Sequence, residues 1–273
     1  MPSPSSSPIW VSSQDYARQL ITIVAIASTF LFNIWSNLFP INGENIGSLS
    51  NSLFQDVLII PANYAFIIWG LIYVELLIFA TYQLRTTQSN NPRLRQAGYW
   101  LVAACVTQNI WVVLFLLRQF SLSVVAMAAI LISLAIYYCN LDVGAADVPK
   151  KEVWRVHLPV SIYLGWISVA SIVNVAIALY RMSWKGWGLS PEAWTIVMMA
   201  IATFIGIWIL IQRADVVYPL VLVWAFVAIA IKHAEKPLIA GVALSLGTVL
   251  ALFSGWQIIQ HKQHHPPQTT NSP

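Results

Sequence analysis

The sequence predicts an all-α fold, a polytopic membrane helix bundle of about eight transmembrane helices. Three observations carry this. Of the 273 residues, 58% are hydrophobic and only 9% charged, against roughly 25% charged in an average soluble domain. Mean hydropathy is +0.71. The apolar residues fall in long runs without the period-2 alternation of an outer-membrane barrel. So few charges cannot cover a water-exposed globule, so soluble, disordered and disulfide-scaffold classes are excluded.

A hydrocarbon core of ~30 Å needs about twenty helical residues. The runs that meet this are Leu20–Phe39, Ile59–Leu84, Ala97–Leu117, Phe120–Leu141, Trp154–Tyr180, Trp194–Gln212, Val216–Ile231 and Leu238–Ile259. Residues 1–19 are polar, with Pro2, Pro4 and Ser5 to Ser7, and are expected to be disordered. The first run shows no small-residue cleavage site before Asn33, so it reads as a retained helix and not a signal peptide. Only Arg213, Ala214 and Asp215 part the sixth run from the short seventh, which implies an antiparallel hairpin. Residues 261–273 are expected to be a disordered tail. No repeat of 20–50 residues is visible. Cys105 and Cys139 both lie in apolar runs and say nothing about redox compartment.

Eight spans put both termini on one side. That side collects nine Lys and Arg residues and the other five, and the bias places both termini in the cytoplasm. A bacterial cytoplasmic (inner) membrane fits, and no nucleic-acid-binding module is present. Trp10, Trp154, Trp184, Trp187, Trp194 and Trp256 sit near run ends, where indole suits the headgroup layer. Trp69, Trp111, Trp166, Trp208 and Trp224 lie deeper, and anchoring does not explain them.

No lysine lies inside a run, so the buried Schiff-base lysine of a retinal protein is missing. HExxH, GxSxG, Walker A and GxGxxG motifs are absent, and no Cys/His spacing suits zinc. No catalytic residue, metal ligand or resident cofactor is assigned. His261, His264 and His265 read as a solvated tail, and His157 as an interfacial residue reaching headgroups. Glu75 stands well inside the second run, where a charged acid costs roughly 2.5–3.5 kcal/mol. Two readings stay open for it, a protonated interhelical hydrogen bond and a proton or substrate site. At 100° per residue it does not share the face of Phe66, Trp69 and Tyr73.

Three runs carry polar and aromatic faces. The second opens Pro61-Ala62-Asn63-Tyr64-Ala65-Phe66 and continues to Trp69 and Tyr73. The third has Gln108-Asn109-Ile110-Trp111, with Phe115 four residues on. On the fifth, Tyr163, Trp166, Ala170 and Asn174 form one stripe. Gly165, Ser168, Ala170 and Ser171 allow close approach of another helix or of a flat ligand. One such stripe is ordinary packing. Three, each with a deep tryptophan, point to a pocket for a planar apolar ligand.

At these residues the chain resembles the tryptophan-rich sensory proteins, the TspO or translocator family. Pro61 to Phe66 and Trp69 to Tyr73 are similar to that family's Pro-Pro-x-Trp-Val-Phe and Trp-x-x-Leu-Tyr. Ala62 and Tyr64 depart from it, and one residue is missing before Trp69. Gln108 to Trp111 keeps the spacing of Leu-Asn-x-x-Trp-Ser, with Gln for Asn and Val112 for Ser. Tyr163, Trp166, Ser168, Ala170, Ser171 and Asn174 match Tyr-x-x-Trp-Val-Ser-x-Ala-Thr-x-x-Asn, the most specific of the three.

The resemblance covers a five-helix unit at residues 20–185 and leaves three additional helices at 186–260, as in an extended member. It implies a porphyrin, haem or sterol-type ligand. The ligand-binding residues expected are Trp69, Tyr73, Gln108, Trp111, Tyr163, Trp166, Ala170 and Asn174, with Tyr73, Gln108, Tyr163 and Asn174 bonding the ligand's polar edge. The loop Pro40–Val57, rich in turn residues, is expected to lid the pocket. The expected partners are the bilayer and a small apolar ligand, and a homodimer is open. Weak porphyrin breakdown, proposed for bacterial members, leaves enzyme activity open. Two other functions compete. One is a proton-coupled transporter with Glu75 as coupling site and a kink at Pro219. The other is a scaffold whose later helices dock a partner, with Gly241, Gly247 and Gly255 allowing close contact.

Overall fold

A computed structural model of the chain describes residues 13–145 and 148–264. Among the described residues the regular structure is all helical, and eight long helices carry it. They are α1 (Ser13–Leu38), α2 (Ile68–Gln83), α3 (Trp100–Leu116), α4 (Phe120–Asn140), α5 (Leu158–Arg181), α6 (Pro191–Arg213), α7 (Val217–Lys232) and α8 (Pro237–His264). Each expected run holds one of them. Six helical stretches are long and apolar enough to cross a membrane, and α3 and α7 are shorter apolar helices. The chain is an integral membrane protein.

The boundaries have local causes. α1 begins at Ser13, so residues 13–19 correct the expected disordered N-terminus. Asp15, Arg18 and Gln19 are buried there, and Arg18 donates to the carbonyls of Leu94 and Ser89, each at 3.1 Å. Residues 1–12 and 265–273 lie outside the described part, and helix runs four residues into the expected tail. The second run is helical only from Asn63, first as a tight turn (Asn63–Ile67) and then as α2. Leu58, Ile59 and Ile60 are buried without being helical, because Pro61 drives the residue before it out of the helical region. α6 opens with Ser190 capping Ala193 N–H at 3.2 Å and Pro191 in the first turn. Pro219 also lies in a first turn, that of α7. Its missing N–H costs no helical hydrogen bond there, so it does not supply the kink expected of it.

Helix α1 packs on α2 and α3, α3 on α4, and α4 on α5; α7 packs on α5 and α8, and α6 on α7 and α8. The later helices are therefore joined to the first five through α5 and α7. Gly165 makes this possible: a Cβ there would stand 3.0 Å from Val221 Cβ. Ser168 accepts from the Tyr218 hydroxyl at 2.9 Å. Of the two uses open to these small residues, Gly165 and Ser168 serve a helix.

The joint is locked at Asp215. Ala214 takes a left-handed φ of 51°, and buried Asp215 then caps α7, accepting from Val217 N–H at 2.9 Å. Its other oxygen accepts from the hydroxyls of Tyr138 at 2.9 Å and Ser161 at 2.7 Å. Three helices thus meet on one carboxylate. Nearby, Gly144 has φ +79°, and a Cβ there would collide with the Arg213 carbonyl. The predicted antiparallel hairpin of α6 and α7 forms, with Gly206 against Leu222 and Pro219.

Candidate ligand site under the long loop

In a bilayer, exchanging lipid for protein around an apolar side chain gains little free energy. Packing and hydrogen bonds therefore decide which tryptophans turn inward. Trp69, Trp111 and Trp166 do turn inward and are buried. Trp208, as deep in the sequence, is 57% exposed on the outer face of α6. Trp224 spends its N–H on the Ala65 carbonyl at 3.1 Å, which ties α7 to the turn before α2.

The inward rings form two groups, one around Trp69 and Trp166 and one around Trp111. Trp69 meets Trp166 edge to face at 6.5 Å and Tyr163 at 6.2 Å, and it stacks on Tyr73 at 5.9 Å. Phe66 meets Trp166 edge to face at 5.9 Å. Trp111 lies 5.2 Å from Phe115, which packs on Phe120 at 5.3 Å. These are favourable arrangements of aromatic quadrupoles, each contributing roughly 0.5–1.5 kcal/mol beyond area.

Among them is a small cavity of about 30 Å³. Trp69, Trp111, Trp166, Ala170 and Asn174 line it, while Tyr73, Gln108 and Tyr163, expected in the same site, do not. The wall also has Ile46 and Ser50 from the loop, with Pro61, Phe66, Phe115, Val169 and Val173. Val169 and Val173 share the stripe of Trp166 and Ala170, but as aliphatic residues they gave no signal. Ile46 and Ser50 belong to a short helix, Ile46–Leu53, whose start is capped by Asn45 accepting from Ser48 N–H at 2.9 Å. That Asn cap before an apolar residue was the signal available in the sequence.

The loop sits closed. Asn42 donates to the Leu116 carbonyl at 3.1 Å, Arg118 reaches Glu44 at 3.4 Å, and the Tyr180 hydroxyl donates to Asp56 at 3.0 Å. Phe54 is fully buried between Phe120 and Tyr180. Gly47 lies so near Asn63 that a Cβ would meet its side-chain oxygen. A cavity of this size admits one water, whereas small-molecule pockets run to roughly 300–1,000 Å³.

Polar groups here divide sharply. Asn174, expected to bond a ligand, is already committed: its oxygen accepts from Trp111 Nε1, and its amide donates to Ser123 Oγ at 2.9 Å. This bridges α3, α4 and α5. Three other buried residues keep polar atoms without a hydrogen-bond partner: both side-chain ends of Gln108, the Tyr73 hydroxyl and the Trp166 indole nitrogen. Each such group costs about 1–3 kcal/mol where nothing satisfies it.

Two further residues bear on function. His157 is buried beside α2 with Nε2 unpartnered, which corrects its reading as a headgroup contact. Glu75 is half-buried and has no hydrogen bond or ion pair among the described residues. It stands four residues beyond Leu71 and so on the same side of α2. There Leu71, Ile67 and Ile68 face Ile162, Leu220 and Trp224 across a groove of about 520 Å³.

No curated protein and no solved structure matches the chain. The sequence model of one family, described as TSPO-like protein, matches residues 19–256. The match takes in all eight helices and does not stop after the fifth. The inward tryptophans, the loop folded over them and this match agree, and the chain belongs to the TSPO-like protein family, membrane proteins of a general ligand-binding or sensor type.

Proposed function

We propose that the chain is a membrane sensor or carrier for tetrapyrrole-like or other planar apolar molecules, held in the slot walled by Trp69, Trp111 and Trp166. The observation that carries this reading is the conjunction of those three rings, from three helices, with the unpartnered N–H of Trp166 beneath a capped loop helix. Indole faces suit stacking on a flat ligand, and the free N–H, the Tyr73 hydroxyl and the Gln108 amide suit its polar edge. The closed cavity, about 30 Å³, is too small for such a guest. Binding requires Trp69 and Trp166 to part and the Ile46–Leu53 helix to lift, breaking surface bonds that are individually weak. Both termini face the cytoplasm in this reading, in a bacterial inner membrane, and the loop opens on the other side.

Titration of the detergent-purified protein with protoporphyrin IX, followed by tryptophan fluorescence, tests it. Saturable quenching is expected, with affinity falling at least tenfold in Trp69→Ala/Trp166→Ala. Equal apparent affinity in that double variant rejects the slot. A second reading, a proton-coupled transporter, is favoured by unpartnered Glu75 beside the open groove. It requires a proton-dependent flux in liposomes that disappears in Glu75→Gln.

A further inference from the structure

On the loop side of the bundle, α7 ends in a lysine followed by a histidine. Lys232 is its last residue, and His233 closes its final turn by donating its backbone N–H to the Ile229 carbonyl at 3.0 Å. The His233 side chain is buried, at 7% exposure. Both the Lys232 ammonium and the His233 Nε2 are buried atoms without a hydrogen-bond partner. The imidazole lies beside the Leu58 carbonyl and within the electrostatic reach of Lys232 and Lys236. No carboxylate among the described residues pairs with them. On that side Glu44 is held by Arg118 and Asp56 by Tyr180, while Glu235 is exposed and forms no ion pair.

A helix C-terminus attracts cations through its dipole, but attraction alone leaves the ammonium's three donors unmet. An uncompensated buried charge is among the costliest features a fold can hold. A buried ammonium and a buried imidazole nitrogen on successive residues, with no acid paired to either among the described residues, suit an anion with more than one oxygen. The backbone just beyond them belongs to the slot: Ala62 N–H donates to the Ala228 carbonyl at 3.2 Å, and Pro61 lines the aromatic cavity. Leu58 and Pro61 are three residues apart, at most about 11 Å of chain.

We propose that Lys232 and His233 form an oxyanion-binding site under residues 58–62, taking a carboxylate or phosphate group. The group comes either from a free molecule or from a lipid headgroup. Inorganic phosphate is the probe, titrated at constant ionic strength with chloride into the full chain in maltoside detergent free of phospholipid. The thermal unfolding midpoint is the readout. A saturable rise of about 2–4 °C is expected. Lys232→Met and His233→Gln should abolish it, and Lys236→Met, an exposed lysine, should keep it. Without phosphate, Lys232→Met should be at least as stable as the unmodified chain, because it removes an unpaired buried charge. Added phosphatidylglycerol separates the sources. If it raises the midpoint and erases the phosphate response, a lipid headgroup fills the site. If the phosphate response persists, a free oxyanion does. No response of the unmodified chain to either anion, or an unchanged response in Lys232→Met, overturns the proposal.

Discussion

Two buried polar centres lie along α5, and they differ in one respect. Around Asp215 every side-chain oxygen has a partner: Tyr138 and Ser161 donate to one, and the first turn of α7 donates to the other. In the second, the Trp166 indole nitrogen, the Tyr73 hydroxyl and the amide of Gln108, three residues before Trp111, have none among the described residues. The first centre is a joint, and removing any of its members strands the others. The second has the composition of a site, with groups left over after the protein's own needs are met. In a membrane interior, where water is scarce, satisfaction separates structure from function better than burial does.

The comparison can be broken most directly at Asp215. Asp215→Ala strands two buried hydroxyls and uncaps α7, and should cost about 3 kcal/mol or more. Unfolding in detergent would show it, and a loss under 1 kcal/mol would mean the carboxylate does not join the two groups of helices. Ser161→Ala deletes one of four donors, the others being Tyr138 and the N–H groups of Val217 and Tyr218, and should cost about 1 kcal/mol by the same measurement. Gln108→Leu sharpens the contrast. It removes two unpaired polar atoms from a buried position, so the unfolding midpoint should stay level or rise. Affinity for protoporphyrin IX should fall in the same variant. A destabilisation comparable to Asp215→Ala would place Gln108 among the structural groups.

Legibility in the sequence followed the same divide. The deep tryptophans were visible as a set, and only the polar stripe and the family motif separated Trp166, which turns inward, from Trp208, which faces outward. Asn174 read as a ligand contact because its amide sits on the aromatic stripe. Its partners, Trp111 and Ser123, come from other helices, and no spacing rule reveals such a pairing. His157 read as interfacial from its place near a run end, yet its turn faces α2. The Ile46–Leu53 helix stayed hidden in a segment that reads as turns. Lys232 counted as a loop residue, one position beyond the seventh run, and the structure ends α7 with it.

What the sequence determined by itself was the number and placement of the helices, the hairpin of α6 and α7 and the family resemblance. A bilayer imposes one length on every span, and run length is a one-dimensional quantity. Only the tertiary structure decided which faces turn inward, which polar groups find partners and how tightly the slot is shut. The reason lies in the solvent: lipid is as apolar as a protein core, so a transmembrane helix is apolar on every side and its periodicity does not point to its neighbours.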